Sequence, residues 1–390
     1  MSGFKTIGVC VFYILFISLF SSCENNKISL YDKFDFVFNR FIVKDKKIKN
    51  SVLFINSIKN NLYWIKPYGI SNPEKNIMMT EDTPFHAASI GKMFTSVIIA
   101  MLYEEGKINF EDYIADYLPD ELITGLNVYK GKDYKDKIKI LNLLNHTSGI
   151  PDYYDEKYKG GTKFIDLMLK DKDRFWTPQD TINFAKENVK AYFPPGEGFH
   201  YADTNYQLLG LIVEKIENKP LHEVLKDRIW IPLGMNHTWF YQTSNPIDPD
   251  TKDMAATYFK DMPVTNHKSI SASWGGGGCV STVEDLSIFI RAVTSGRLIK
   301  MKTLKKMQKW VKGFASGIDY GYGIMRLKPG GFSLFLKNYP EMWGHLGSTG
   351  TFLFYNEEYD LVVCGTLNQT SRVIKPVFLI IELLGVIRKK

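Results

Sequence analysis

The apolar positions of this chain switch between helical and strand spacing as the sequence is read from end to end. From Leu30 to Val43 they fall at Leu30, Phe34, Phe36, Val37 and Phe41, a recurrence that predicts an amphipathic helix. Ser51 to Ser57 and Asn61 to Ile70 alternate apolar and β-branched residues around Lys59, Asn60 and Asn61, which predicts a hairpin. An apolar helix is expected from about Ser89 to Tyr103. The chain from about Asn109 to Met262 then reads as helices and loops, most clearly at Tyr206 to Ile216 and Leu221 to Trp230. Strand character returns at Tyr320 to Leu327, Thr351 to Tyr355 and Leu361 to Leu367. Pro376 to Ile387 is an apolar helix too short to span a bilayer, so it is expected to pack on the sheet. Strands at both ends with helices between them predict an α/β (α+β) fold, an antiparallel sheet flanked by helices with an inserted, mostly helical subdomain.

The first residues follow a different grammar. Lys5 precedes an apolar run from Ile7 to Phe20, and Ser21, Ser22 and Cys23 follow it. A charged start, a short apolar stretch and small residues at its end mark a secretory signal. Small residues directly before a cysteine resemble a bacterial lipoprotein signal, with Cys23 as the lipidated residue; plain secretion is the alternative. The expected organisation is a signal peptide over 1–22, a tether over 23–28 and one catalytic domain over 29–390. Within that domain the sheet region is expected at about 29–88 and 265–390, and the helical region at about 89–264. The expected location is the periplasm or outer membrane, with a lipid anchor as the membrane contact.

Composition narrows the partners. With 45% hydrophobic and 23% charged residues over 390, the chain has ample material for a globular core. The net charge of +7 comes from 49 Lys plus Arg against 42 Asp plus Glu. The runs at 44–49 and 302–312 read as solvated faces, and no nucleic-acid motif accompanies them. After removal of a leader ending before Cys23, only Cys279 and Cys364 lie in the domain; each has an apolar, strand-like context. Two buried thiols or a disulfide are both open from sequence. Neither a cysteine cluster nor a HExxH pattern is present, so no metal or other cofactor is expected.

The candidate chemistry centres on His86-Ala-Ala-Ser89-Ile-Gly-Lys92. Ser and Lys three apart on a helix share a face. A serine hydroxyl needs a partner to take its proton before it attacks, and a desolvated lysine can serve. Alone the spacing is weak, because Ser2-Gly-Phe-Lys5 in the leader repeats it without meaning. Further on, Tyr201-Ala-Asp203 precedes a helix start, where Asp203 or Thr204 would be an ordinary cap. His345-Leu-Gly347-Ser348 is glycine-rich and leads into a strand, and its glycines would admit another backbone or a ligand. Leu143 to Pro151 reads as a tight turn, and Ser281-x-x-Glu284 as a capping box.

In this order these segments resemble the penicillin-recognising serine hydrolases: serine β-lactamases of the AmpC type, DD-peptidases and related esterases. Ser89-x-x-Lys92 matches the first motif, Tyr201-Ala-Asp203 stands where Tyr-x-Asn is usual, and His345-Leu-Gly347 stands where Lys-Thr-Gly or His-x-Gly is found. Leu143-Leu-Asn-His146-Thr-Ser-Gly-Ile-Pro151 and the Gly275 to Leu286 stretch match two further hallmarks. The resemblance implies an acyl-enzyme on Ser89, with Lys92 and Tyr201 sharing the proton work. It also implies an oxyanion hole from the backbone of Ser89 and Ser348, and substrate contacts from Asp203, His345 and Gly347. The expected substrate is a peptide, amide or ester, with peptidoglycan stem peptides suggested by compartment and a DD-carboxypeptidase or D-amino-acid peptidase as the leading type. A carboxylesterase, a β-lactamase and a non-catalytic penicillin-binding-like module are the alternatives. Two departures stand out. His345 replaces the lysine typical of β-lactamases. Asp203 replaces an asparagine, which suggests that Tyr201 carries more of the base function, with Asp203 expected either to hold Lys92 charged or to select a substrate with an amino group.

Overall fold

Both faces of the strand Asn50–Ser57 are covered, which explains why its apolar residues run almost without interruption. Val52 and Phe54 enter the core on one side, while Leu53 and Ile55 enter a second core on the other. The same split recurs in the neighbouring strands: Val362 and Cys364 face the first core, Leu361 and Val363 the second. In the computed structural model, which describes residues 28–156, 161 and 163–388, these strands belong to a nine-stranded antiparallel sheet. Its order is Val311–Ala315, Ile318–Tyr320, Met325–Leu327, Met342–Leu346, Phe352–Asn356, Leu361–Thr366, Asn50–Ser57, Leu62–Asn72, Ile77–Met78. The two chain ends meet where Val52 pairs with Thr366 and Ser57 with Leu361.

One face carries the N-terminal helix Leu30–Phe38 and the C-terminal helix Lys375–Arg388, whose Phe34, Val37, Val377, Ile380 and Leu384 fill the second core. The two helices run antiparallel. Asp45, just past the first helix, pairs with Arg372 and Lys375 at the start of the last, and Arg40 meets Glu382 further along at 2.6 Å. The opposite face carries the helix Gly91–Glu104, the helix Thr204–Glu217 and the helix Val283–Thr294. The α/β (α+β) expectation of an antiparallel sheet with flanking helices is met. No helix among the described residues is long and apolar enough to cross a membrane. Cys23 and the expected leader lie outside the described residues.

Several local expectations change. Tyr320 to Leu327 is not one strand: the chain turns back at Gly321 to Gly323, so Tyr320 pairs with Met325. The positive φ of Gly323 serves that reversal, a backbone state glycine adopts without cost. The helix after Ser281 is capped by Thr282, which accepts from Asp285 N–H, so the expected Ser281–Glu284 box is absent. The Ser281 hydroxyl instead pairs with Thr238 at 2.8 Å. The strand Met342–Leu346, which carries His345, is fully buried and central. Its two internal glycine and histidine positions hide the alternation that would have marked it.

Cys279 and Cys364 are both buried and free, one in the small sheet beside Phe85–His86 and the other in the main sheet. Burial pushes both thiols up, away from the thiolate, and a buried apolar thiol is inert. Neither should react with an alkylating reagent in the native protein, and both should be modified once it is unfolded in urea. Peptide mapping after a short iodoacetamide pulse checks this; native labelling of either residue would contradict the packing described.

Candidate active site

Ser89 sits in a tight helical turn, Ala88–Ile90, that runs directly into the helix Gly91–Glu104. Ala88 has φ +48°, an uncommon left-handed state for a residue with a side chain, and such strain gathers at functional turns. One turn further on, Lys92 is completely buried. Its Nζ donates to Ser89 Oγ at 3.1 Å, to the carbonyl of Gly276 at 2.9 Å and, in a short contact, to Asp203 Oδ1. An ammonium has three donors, and each finds an acceptor here. Its Nζ also lies 5.1 Å from the centre of the Tyr201 ring and 5.4 Å from that of Tyr206.

The glycine run earns its place at this point. A Cβ on Gly276 would sit 3.0 Å from Asp203 Oδ1 and 3.2 Å from Lys92 Nζ, and one on Gly277 would meet the Ala88 backbone at 3.0 Å. The segment therefore approaches closely enough to bring a carbonyl to Lys92.

Tyr201 and Asp203 arrive on the segment leading into the helix Thr204–Glu217. Asp203 occupies the cap position but makes no side-chain cap bond; its carboxylate turns to Lys92 instead. Its own N–H donates to Asp152 Oδ1 at 2.9 Å. Tyr201 is hydrogen-bonded to Ser89, yet burial first, and then the charge of Asp203, hold its hydroxyl well above the ordinary phenol range. That favours a protonated Tyr201 in the resting state and weakens the expectation that it works as a free phenolate base.

Two residues behind Tyr201 and Asp203 were not singled out in sequence: His146 was read only as part of the Leu143 to Pro151 motif, and Asp152 lies just past it. His146 has φ +59° and stacks on Tyr201 with ring centres 4.2 Å apart. Its Nδ1 accepts from Ala202 N–H at 3.2 Å and from Asn205 Nδ2 at 2.9 Å. Asp152, which follows the same turn, accepts the N–H groups of Asp203, Tyr154 and Asp155. Burial, then the charges of Asp203 and Glu156, push the Asp152 carboxyl up to about 7. The Leu143 to Pro151 motif was the available signal for His146; Asp152, just past it, carried none.

His345 is placed differently from a substrate contact. It is fully buried, with Nδ1 2.6 Å from the Leu346 carbonyl and Nε2 2.9 Å from Tyr320 Oη. Burial lowers it to about 3, so it is a neutral imidazole, and its link to the site runs through Tyr320, whose ring centre lies 5.7 Å from that of Tyr201. Gly347 and Ser348 do line the cavity that contains Ser89, together with Asp152, Tyr201 and Asp203. Gly347 donates to Thr351, whose hydroxyl holds the Ala87 carbonyl at 3.2 Å, fixing this edge against the nucleophile turn. The Ser348 N–H takes no acceptor among the described residues. The cavity encloses about 670 Å³, and its further walls are largely apolar, with Met254, Val264, Phe314 and Ile374 among them. No group of residues able to hold a metal ion occurs among the described residues.

The family model described as Beta-lactamase matches residues 43–375. This chain belongs to the beta-lactamase family. It is 30% identical to penicillin-binding protein 4* of Bacillus subtilis, over 63% of this chain and 54% of that protein. It is 27% identical to a candidate D-alanyl-D-alanine carboxypeptidase of Escherichia coli K12, over 71% of this chain and 67% of that protein. The fold is shared with the D-amino acid amidase of Ochrobactrum anthropi SV3 in complex with D-phenylalanine, at a TM-score of 0.76 and 21% identity, covering 92% of this chain and 99% of that one. The chain thus spans about half the length of the Bacillus relative.

The buried titratable groups set opposing pH dependences. His86 at about 4, His345 at about 3 and His146 well below the ordinary value are all depressed chiefly by burial. Unfolding below about pH 6.5 lets them take up protons, so their contribution is complete above that pH and is lost as pH falls. Asp152 is raised, so unfolding between about pH 4 and 7 releases its proton, and its contribution is lost as pH rises through that window. Near pH 5 the four groups together should take up about two protons on unfolding, and Asp152→Asn should raise this by about one, or about 1.4 kcal/mol per pH unit. Urea unfolding at several pH values measures the slopes; equal slopes for wild type and variant would contradict the assignment of Asp152.

Proposed function

We propose that the protein is an exported, lipid-anchored hydrolase in which Ser89 forms an acyl-enzyme with amides or short peptides whose acyl residue carries a free α-amino group. The observation that carries this reading is Asp203, aimed at Lys92 and lining the cavity, with the buried Asp152 directly behind it. An asparagine at this position would donate to a substrate carbonyl, whereas a carboxylate only accepts, and an ammonium is its natural complement. His345, neutral and buried, supplies no cation for a terminal carboxylate where a lysine otherwise stands. The apolar walls suit the side chain of the same residue. The names of the carboxypeptidase and amidase relatives point to the D configuration. Export and lipidation rest on the leader and Cys23.

In this mechanism Ser89 Oγ attacks the carbonyl carbon, and the backbone N–H groups of Ser89 and Ser348 hold the oxygen as it gains charge. The start of the helix Gly91–Glu104 adds its positive end. Tyr201, protonated at rest, passes its proton to the leaving nitrogen as it takes the one from Ser89, and Lys92 holds the Ser89 oxygen in place. The C–N bond breaks, the amine departs, and water later hydrolyses the ester by the reverse relay.

Intact-mass analysis and turnover should be measured with D- and L-phenylalanine amide, N-acetyl-D-phenylalanine amide, a D-Ala-D-Ala peptide, a penicillin and an aryl ester. A Ser89 adduct or turnover is expected with the free-amine amide, the N-acetyl analogue should be at least about ten-fold poorer in kcat/KM, and Ser89→Ala should lose about 10³-fold or more. Reaction with none of the substrates would favour a non-catalytic module, and preference for the D-Ala-D-Ala peptide or the penicillin would overturn the amine reading.

Asp203→Asn gives an independent check. It should shift the ratio of kcat/KM for free-amine over N-acetyl amide by about ten-fold or more toward the acetylated substrate, the size expected for losing one charge-assisted hydrogen bond. An unchanged ratio would reject Asp203 as the amine site while leaving Ser89 untouched.

A further inference from the structure

One end of the main sheet gathers features that the reaction does not use. The strand pairings place the turn after Ser57, the turn after Asn356 and the start of Met342–Leu346 at this end, because Ser57 lies opposite Leu361 and Asn356 Nδ2 holds the Glu341 carbonyl. Arg388, at the tip of the last helix, donates to the Asn338 carbonyl at 3.0 Å and lies 4.5 Å from the Tyr339 ring centre. The antiparallel first helix therefore begins here as well, at Leu30. The catalytic motif lies toward the other end: His345 and Leu346 close the strand that Met342 opens, and Gly347 and Ser348 follow.

At this end Leu334 and Phe335 project from the loop before Met342 with 83% and 88% of their surfaces exposed, the largest values among the exposed large hydrophobics. Ile58, on the turn after Asn50–Ser57 at the same end of the sheet, is 69% exposed and Ile28, just before the first helix, 60%. Lys337 and Arg388 are exposed beside them, and Lys389 and Lys390 follow in the sequence. Adjacent exposed Leu and Phe have no role in a fold that gives them nothing to cover. Apolar side chains flanked by cations are what the interfacial zone of a bilayer accepts.

We propose that this end of the molecule docks on a lipid bilayer, with Leu334 and Phe335 inserted among the headgroups as a second membrane contact. The length of chain beyond Ile28 decides for lipid over another occupant. Cys23 lies five residues before Ile28, and five residues reach at most about 18 Å, so a lipid on Cys23 would hold this end at the membrane. A second contact beside the tether would fix which end of the molecule faces the bilayer. The catalytic cavity would then open away from the bilayer. Both the orientation and the choice of lipid as occupant rest on the lipidation of Cys23 proposed above; the exposure of Leu334 and Phe335 does not.

The test uses the chain from Cys23 onward, made without its leader and so without lipid; it contains every described residue. Flotation with phosphatidylethanolamine–phosphatidylglycerol vesicles (3:1) is compared for wild type and Leu334→Ser/Phe335→Ser, substitutions at exposed positions. Wild type should partition onto the vesicles, and the variant should bind at least about five-fold less, with unchanged thermal unfolding and unchanged amide turnover in solution. Equal partitioning of the two, or no partitioning of wild type, would overturn the proposal. So would a wild-type dimer in light scattering that the variant abolishes, which would give the face to a second copy. Because turnover is read in the same samples, failure of the membrane contact is distinguishable from failure of the hydrolase reading.

Discussion

A completely buried lysine ammonium is the constraint around which this site is built. Taking such a charge out of water costs several kcal/mol unless every proton finds an acceptor. Lys92 has three: a hydroxyl, a carbonyl and a carboxylate, from three distant parts of the chain. The helix Gly91–Glu104 supplies the lysine, the glycine run supplies the carbonyl and the segment before Thr204–Glu217 supplies the carboxylate. Removing any acceptor would leave a buried N–H unpaired, which costs more than the bond itself contributes. The requirement reaches outward from there. Gly276 has no room for a side chain because Asp203 and Lys92 fill the space, and Gly277 none because the nucleophile turn does.

A second layer of neutral, buried groups keeps that charge pair in place. His146 and His345 are both held neutral by burial, so neither adds a cation that would compete with Lys92 for Asp203. His345 spends both nitrogens on fixed partners behind Tyr320, and His146 spends its Nδ1 on Ala202 and Asn205 beneath Tyr201. Asp152 sits at the other extreme: it receives three backbone N–H bonds, and its carboxyl is still raised, because burial and the neighbouring carboxylates outweigh them. Below about pH 7 Asp152 is therefore largely uncharged, and the ion pair at the centre of the site is that of Lys92 and Asp203.

Much of the fold was legible in the sequence because both chain ends write sheet residues in clear alternation and the helices carry broad apolar faces. Leu30–Phe38, Asn50–Ser57, Gly91–Glu104 and Lys375–Arg388 fall close to where periodicity puts them. The central strand Met342–Leu346 was hidden because both of its faces are buried and its pattern includes Gly344 and His345. The reversal at Gly321 to Gly323 was hidden because both arms of the hairpin are apolar. In the site, the sequence could pair Ser89 with Lys92 by helical spacing, but not Lys92 with Asp203, which lies 111 positions away. Asp203 looked like a helix cap by every local rule. Only packing shows that its side chain has abandoned the cap for the lysine, and that the place of His345 is behind the wall and not in it.

The sheet that separates the two cores also separates two surfaces with different solvents in view. Its strands are antiparallel, so consecutive connections alternate between its ends, and those at one end carry Gly347 and Ser348 while those at the other carry Leu334, Phe335 and Ile58. Polar, hydrogen-bonded loops suit the first end because a substrate must replace water there without leaving buried groups unpaired. Exposed apolar side chains suit the second only if something other than water meets them, since a loop held by Arg388 and Tyr339 has no freedom to fold them inward. The same antiparallel logic that brings the chain's two ends together in one sheet therefore places the start of the first helix and the tip of the last at the end opposite the catalytic loops. Ile28, the first described residue, thereby lies at the end opposite the cavity.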